Sequence, residues 1–146
     1  MKALVQRVCQ ASVSVDGQCI GEIKSGMMVL LGVEATDTET IAEKLANKLL
    51  KYRMFNDEAG KMNLNLTQVD GELLVVSQFT LVADTQKGNR PGFSKGAPPE
   101  LGKHLYQHFI AHIDTQYKAC KTGQFGADMH VSLINDGPVT FMLEAS

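Results

Sequence analysis

The sequence predicts an α+β fold, in which a mostly antiparallel or mixed, barrel-like β-sheet carries two helices packed on one face. Three observations lead to this class. Residues 2–15 alternate apolar and polar side chains with the period of a strand. Two later segments repeat apolar residues every four positions, which is typical of amphipathic helices. Short turn signals separate the other apolar runs, and no linker or repeat divides residues 1–146, so we expect one domain.

The N-terminal segment predicts three strands. Asp16-Gly17 is typical of a two-residue hairpin that joins residues 2–15 to a strand near Gln18–Ile23. Met27–Val33 is apolar throughout, as expected of a strand that is buried on both faces. Arg7 falls on the apolar face of the first strand. This position has two interpretations. In the first, the charged end of Arg7 reaches solvent or a carboxylate. In the second, its guanidinium stabilises a functional loop through hydrogen bonds to backbone carbonyls.

Two helices are predicted from capping signals and apolar spacing. Thr36-Asp37-Thr38-Glu39 has the form of a capping box, which predicts a helix that ends near Lys51. Pro98-Pro99 opens the second helix, because proline is favoured in a first turn. The predicted buried faces are Ile41, Leu45 and Leu49 in the first helix and Leu101, Leu105, Phe109 and Ile113 in the second.

Three further strands complete the predicted sheet. Asp70-Gly71 is typical of a turn, and it opens a strand over Glu72–Ala83. After the second helix, strands at Met129–Ile134 and Val139–Leu143 flank a tight step.

Composition and charge limit the classes of function. The longest apolar run, Met27–Leu31, is far shorter than the ~20 residues of a membrane span. Gln6 and Arg7 break any signal-peptide core, so we expect a cytoplasmic protein with no membrane partner. A net charge of −2 does not indicate a general nucleic-acid binder, so no DNA partner is expected and an anionic partner must be held locally. Residues 87–95 contain three cations, Lys87, Arg90 and Lys95, and no acid. This basic stretch is either a solvated loop or such a local site.

No metal site or cofactor is predicted. The three cysteines form an odd set without metal-type spacing, which favours reduced thiols. His104, His108 and His112 share one helical face, but no carboxylate or cysteine stands at a supporting spacing. Because these histidines flank the apolar face of the helix, a position at the boundary between the core and solvent is favoured over a zinc site.

Two polar segments interrupt apolar strand runs. They are Ser77-Gln78-Phe79-Thr80-Leu81 and Asn135-Asp136-Gly137-Pro138. Buried polar atoms and missing amide donors destabilise a strand, so such interruptions favour a functional interpretation.

Several interpretations of these segments stay open. Ser77 or Thr80 acts as a nucleophile, although no histidine is tied to either by a pattern. Alternatively, free backbone amides around Phe79 and Thr80 hold an oxyanion, or the polar side chains only bond a neighbouring loop. The Gly137-Pro138 step is an ordinary turn or, if its peptide bond is cis, a rigid pair of carbonyl acceptors suited to an ammonium group.

Five segments in order along the chain form a specific combination. They are Gln6-Arg7-Val8 with Ala11-Ser12-Val13, Met62-Asn63-Leu64-Asn65, Ser77-Gln78-Phe79-Thr80-Leu81, Gly88-Asn89-Arg90-Pro91, and Phe125-Gly126-Ala127-Asp128-Met129 through Asn135-Asp136-Gly137-Pro138-Val139-Thr140. On these segments the chain resembles the D-aminoacyl-tRNA deacylase family over its whole length. Gly92 departs from the serine that is more common after Arg-Pro, which puts only a loop contact in doubt.

The resemblance implies a homodimer with two active sites at the subunit interface and no metal. Each site would combine the catalytic segment of one chain, Ser77, Gln78, Phe79 and Thr80, with the Gly137-cis-Pro138 step of the other. The substrate would be the aminoacylated 3′-terminal adenosine of tRNA. Arg7 would orient the Gly-Pro carbonyls. The adenosine and tRNA contacts would come from Phe125, Ala127, Met129, Lys87 and Arg90.

The implied reaction is hydrolysis of the ester to free D-amino acid and tRNA. The Gly-Pro carbonyls would bind the ammonium group and collide with an L side chain, so glycyl-tRNA is expected to be cleaved too. The ribose 2′-hydroxyl is expected to assist the water, since no protein base is evident. Two other classes compete: a non-catalytic dimeric module that binds RNA ends or nucleotides, and a hydrolase of small esters or peptides with a threonine or serine nucleophile.

Overall fold

A computed structural model describes residues 1–146. The chain forms eight strands, two α-helices and one 3-10 helix. In chain order these are β1 (Lys2–Val15), β2 (Gln18–Ile23), β3 (Gly26–Gly32), α1 (Glu39–Lys51), β4 (Phe55–Asn56), β5 (Met62–Leu64), β6 (Glu72–Ser77), the 3-10 helix (Phe79–Val82), α2 (Pro99–Gln116), β7 (Lys121–Thr122) and β8 (His130–Glu144).

The main sheet is built around β1, whose 14 residues pair along both edges. One edge pairs antiparallel with β8, and the other pairs with β3 in its first half and with β2 in its second half. β6 pairs parallel with β3, and β7 pairs parallel with β6, so these two strands extend the sheet beyond β3. Contacts of β2 with β6 and β7 show that the sheet curls toward a barrel. These pairings confirm the predicted α+β class and mixed sheet.

Two apolar cores lie on opposite faces of this sheet. α1 and α2 cover one face, and the smaller core fills the inside of the curl. β6 belongs to both, because Leu73 and Val75 face the helices while Leu74 and Val76 face the smaller core. Burial of one such side chain contributes about 1.5–3 kcal/mol. The strand that leads to Ser77 is therefore held firmly on both faces.

The predicted hairpin and helices are confirmed, with one correction at a helix start. Asp16 and Gly17 have φ values of 50° and 76°, as a two-residue hairpin of this type requires. α1 is capped by Thr38, whose Oγ1 accepts from the N–H of Ile41 at 3.3 Å, and not by Thr36 as the capping-box pattern suggested. The reason is that Asp37 is buried and accepts from the N–H of Glu34 at 2.6 Å, which places the start of the helix after it.

Two predicted strand boundaries are wrong, and both lie at the polar segments. β6 ends at Ser77 and not at Ala83, because its partner β3 ends at Gly32 and offers no further ladder. The chain then turns into the 3-10 helix. The strands predicted on either side of the Gly-Pro step form one strand, β8, because β1 pairs with both parts.

Two further points bear on the sequence predictions. Cys9, Cys19 and Cys120 are unpaired thiols. Neither helix combines the length and the apolar character that crossing a bilayer requires.

Candidate active site

The first polar segment lies where β6 leaves the sheet. The N–H of Gln78 makes the last ladder-like bond, to the carbonyl of Leu31 at 2.8 Å, and the N–H of Leu81 donates to the carbonyl of Gln78 at 3.2 Å. Between them, Phe79 and Thr80 are the first two residues of the 3-10 helix, so their N–H groups have no acceptor within that helix. The segment therefore presents, side by side, two backbone donors that the helix leaves free.

A cavity of about 500 Å³ opens beside these donors. It brings together six residues that the sequence analysis assigned to the site: Ser77, Gln78, Phe79, Phe125, Ala127 and Met129. The other lining residues are Val33, Val76, Ala97, Pro99, Gly102, Gly126 and Val131. No carboxylate, imidazole, amine or thiol lines the cavity, so the polar groups available for chemistry are backbone groups, the Ser77 hydroxyl, the Gln78 amide and those of the ligand itself.

Phe125 forms the far wall, and α2 holds it there. A Cβ on Gly102, in the interior of α2, would lie 3.4 Å from the Phe125 ring, so the glycine lets the ring approach the helix closely. Tyr106, one turn further along α2, packs on Phe125 with ring centroids 5.9 Å apart and donates its hydroxyl to the carbonyl of Val75 at 2.8 Å. Burial raises the pKa of Tyr106 to about 12, so the hydroxyl keeps its proton.

The sequence analysis missed two glycines that shape this wall. Gly102 lies inside a helical pattern, and a glycine there is itself a signal of close packing. Gly123 precedes the segment of Phe125, Ala127 and Met129, and a Cβ on it would lie 2.6 Å from the sulfur of Met129.

Thr80 lies outside the cavity lining. Its side chain is exposed, and its Oγ1 accepts a hydrogen bond from the side-chain amide of Gln78. A hydroxyl nucleophile needs a base within hydrogen-bonding distance, and neither Thr80 nor Ser77 bonds to a histidine or carboxylate.

The second polar segment forms a bulge in β8. Gln6 pairs with Thr140 and Val8 pairs with Asn135, so the four residues 136–139 stand opposite the single residue Arg7. The side chain of Asn135 holds the base of the bulge, because its Oδ1 accepts from the N–H of Val139 at 2.7 Å. The Gly137-Pro138 peptide bond is cis, and both residues lie in the part of β8 that has no ladder partner on β1.

Arg7 connects the bulge to the rest of the fold. Its side chain is buried, its Nε donates to the carbonyl of Asp136 at 2.9 Å, and its Nη1 donates to the carbonyl of Met54 at 3.0 Å and to Asn56 Oδ1 at 3.2 Å. The Asp136 carboxylate lies 3.7 Å from Nε. The guanidinium of Arg7, which belongs to β1, therefore bonds two segments that are distant in the chain, residues 54–56 and β8. It reaches each of them through a backbone carbonyl.

One chain does not bring the two polar segments together. Across the sheet, Arg7 pairs with Met27 and Met27 pairs with Leu73, four residues before Ser77. Four residues span about 13 Å along a strand. Gly137 and Pro138 accordingly do not line the cavity.

The remaining predicted residues lie on the surface. Lys87 and Arg90 are exposed on the loop of residues 84–97 and do not line the cavity. On α2, His104 and His108 contact Glu39 and Glu43 of α1, each through a nitrogen–oxygen distance below 3 Å. His112 contacts Asn47 at 2.8 Å. The row therefore connects the two helices, and no group of three or more potential ligands is close enough to hold a metal ion.

Comparison with known proteins gives a consistent result. A family model described as D-Tyr-tRNA(Tyr) deacylase matches residues 4–144. A relative from Alteromonas mediterranea, named D-aminoacyl-tRNA deacylase, is 64% identical over 141 residues, which cover 97% of each chain. A relative of the same name from Haemophilus influenzae is 61% identical over 143 residues, covering 98% of this chain and 99% of the relative.

Two solved structures are similar over nearly the whole chain. One, described as c-Myc DNA Unwinding Element Binding Protein, has a TM-score of 0.95 at 42% identity and covers 100% of this chain and 99% of its own. The other, described as a probable eukaryotic D-amino acid tRNA deacylase, has a TM-score of 0.87 at 16% identity and covers 98% of both chains. At that identity the second shows the fold alone.

Proposed function

The chain belongs to the D-Tyr-tRNA(Tyr) deacylase family, and from that premise we propose that it hydrolyses the ester bond of D-aminoacyl-tRNA, releasing free D-amino acid and tRNA. The observation that carries the proposal is the cavity beside β6, which offers free backbone donors and no ionisable side chain. An enzyme with this substrate works where translation occurs, so the proposal places the protein in the cytoplasm.

The free N–H groups of Phe79 and Thr80 are the proposed oxyanion site. When water adds to the ester carbonyl, negative charge develops on its oxygen, and donors fixed in advance stabilise that charge without rearrangement. Loss of one such donor elsewhere lowers kcat by about 10²–10³-fold. Ser77 and Gln78 support this segment, since they line the same cavity and precede the donors directly.

The substrate supplies the group that positions the water. No protein base lines the cavity, whereas the ribose 2′-hydroxyl lies next to the reacting ester by its covalent structure. In the proposed step, water forms the new C–O bond, the bond to the 3′-oxygen breaks, and that oxygen takes up the proton. The terminal adenine would occupy the apolar wall made by Phe125, Ala127 and Met129.

Chirality is sorted by a second copy of the chain. The Gly137 and Pro138 carbonyls of the partner would accept hydrogen bonds from the substrate ammonium and would crowd an L side chain. Two observations support a homodimer: the two polar segments are separated within one chain, and β8 is a 15-residue edge strand that pairs only with β1. Ile134 and Met142 on this edge are exposed apolar residues, which a partner would cover.

The test compares matched D- and L-aminoacyl-tRNA under single-turnover conditions. We expect hydrolysis of the D ester and not of the L ester, with similar rates for D esters of different side chains, because nothing in the proposal grips the side chain. Glycyl-tRNA has no side chain to exclude, so we expect it to be cleaved. Equal cleavage of both enantiomers, or resistance of the glycyl ester, would contradict exclusion by collision.

The same assay separates the competing classes. A nucleophilic hydroxyl would leave a trapped acyl-enzyme detectable by mass spectrometry after rapid quenching. A binding module would retain the ester intact. Sedimentation equilibrium tests the dimer independently, because a monomer with full D-specific activity would contradict a site shared between subunits.

A further inference from the structure

Two exposed aromatic rings touch at the mouth of the cavity. Phe79 is 66% exposed and Phe93 is 50% exposed, and they are the only aromatic residues among the large apolar side chains that face solvent. Their ring centroids are 5.5 Å apart and the rings are tilted by 48°. We call them the Phe79/Phe93 pair. Phenyl rings this exposed in a single chain point to a surface that covers them, which is either a ligand or a second copy of the chain.

The loop that carries Phe93 is held by hydrogen bonds within itself and to the segment that follows β3. Asp84 and Gly92 exchange two backbone hydrogen bonds, of 2.7 and 2.9 Å. Further along, the N–H of Ala35 donates to the carbonyl of Lys95 at 3.0 Å. Phe93 lies between these attachments, so its ring is positioned before any ligand arrives. A preformed aromatic surface binds a planar ligand with little loss of conformational entropy.

The same loop is positively charged. Lys87, Arg90 and Lys95 are exposed, and none of them takes part in an ion pair. The nearest acid in the loop, Asp84, is half-buried and accepts from the N–H of Gln86 at 2.9 Å. The loop therefore offers aromatic faces and unpaired cations together, which matches the bases and phosphates of single-stranded nucleic acid.

We propose that the Phe79/Phe93 pair stacks with the unpaired bases that precede the terminal adenosine of the tRNA. This inference rests on the proposed function, because it places those bases just outside the cavity that takes the adenosine. Phe93 acts as a positioning residue for the acceptor end, while Lys87, Arg90 and Lys95 contact the phosphates between those bases. A second copy of this chain fits the loop less well, since the cores of protein interfaces are depleted of lysine.

The experiment compares two substrates and three variants. One substrate is the D-aminoacyl-tRNA, and the other is the D-aminoacyl ester of adenosine alone, which lacks the stacked bases. Phe93→Ala removes the ring, Phe93→Tyr keeps it, and Ile20→Ala removes an exposed apolar side chain from β2 as a matched control. Phe93 is exposed and outside both cores, so its variants are expected to fold.

For Phe93→Ala we expect the KM for D-aminoacyl-tRNA to rise about tenfold or more, the range that loss of base–aromatic stacking covers. Its kcat should change less than twofold. The KM for the adenosine ester should also change less than twofold. Phe93→Tyr and Ile20→Ala should match the unmodified protein on both substrates.

Three results would overturn the inference. Equal increases of KM for both substrates would mean that Phe93 acts through the cavity. No change for either would mean that its ring binds nothing. A shift from dimer to monomer in sedimentation equilibrium would assign the pair to the subunit interface. Cleavage of neither D ester by the unmodified protein would overturn the proposed function itself. That outcome is distinguishable from the three results above, in which the unmodified protein is active.

Discussion

The cavity beside β6 and the bulge of β8 are built in opposite ways. The cavity is concave and uncharged, and the N–H groups of Phe79, in its lining, and of Thr80, next along the chain, are left free by the 3-10 helix. The bulge is exposed and presents the carbonyl groups of Gly137 and Pro138, two residues that have no ladder partner on β1. An aminoacyl ester needs both kinds of partner, because its carbonyl oxygen becomes negative during hydrolysis while its ammonium is positive. Each region therefore lacks what the other provides.

The two regions also differ in how they are held. Several packed side chains position the cavity wall, including Tyr106 and the ring of Phe125 beside Gly102. The bulge is held by two side chains, the guanidinium of Arg7, which reaches it from β1, and the amide of Asn135 at its base. We therefore expect single substitutions to damage the bulge more than the cavity, and the following predictions test this difference from the largest effect to the smallest.

Gly137→Ala should have the largest effect. Gly137 has a φ of +144°, and a Cβ there would lie 2.7 Å from Val139 Cγ2 and 2.9 Å from the Val139 nitrogen, so the bulge must change shape. Misplacement by about 1 Å can lower activity about 10²-fold. We expect at least that loss in kcat/KM for the D ester. Ser132→Ala, on the exposed side of the same strand, is the control and should keep normal kinetics. Normal kinetics in Gly137→Ala itself would remove the bulge from the mechanism.

Arg7→Lys comes next. A lysine keeps the charge but cannot bond the carbonyls of Asp136 and Met54 and the Asn56 side chain in one plane. An unsatisfied buried carbonyl costs about 1–3 kcal/mol, which should appear in urea unfolding. Because the Gly-Pro carbonyls would lose their fixed direction, the ratio of D to L cleavage should fall about tenfold, which corresponds to about 1.4 kcal/mol of discrimination in the transition state. An unchanged ratio in a destabilised variant would limit Arg7 to a role in stability.

Thr80→Ala should have a small effect on the cavity. The substitution removes the hydroxyl that accepts from Gln78 but leaves the backbone N–H of residue 80 in place. We expect kcat for the D ester to stay within about tenfold of the unmodified protein, because loss of a true nucleophile reaches about 10⁴-fold or more. A loss of that larger size would instead favour covalent chemistry at Thr80.

Asp57→Asn should have the smallest effect. A hydrogen bond from the Asn63 side chain, followed by one from the N–H of Lys61, lowers the pKa of Asp57 from its ordinary value of 3.8. The charged form thus stabilises the β4–β5 hairpin above the unfolded pKa, and this stabilisation is lost as the pH falls through the lower folded pKa. The Tm difference between the two proteins should shrink from pH 6 to pH 3. A Tm difference that does not change with pH would mean that the charge of Asp57 contributes nothing to the stability of the hairpin.

Most of the fold could be predicted from local patterns. The Asp16-Gly17 hairpin and the buried spacing of Leu45, Leu49, Leu105 and Phe109 were confirmed, because turn chemistry and helical period act within a few residues. The end of β6 at Ser77 could not be predicted, since it depends on where β3 stops. The residues of the candidate site were named from the sequence, but Gly102 and Gly123 were missed because their importance lies in contacts with distant rings and sulfur.

By itself, the sequence determined the class of the fold, the positions of its turns and helices, and the two polar segments that interrupt the strands. Only the tertiary structure decided that Phe79 and Thr80 leave their N–H groups free, and that the cavity and the bulge lie apart in one chain. It also decided which partners Arg7 reaches, 47 and 129 residues away along the chain. The physical reason is that periodicity and turn preference are local, whereas these contacts are set by strand register and by packing across the sheet.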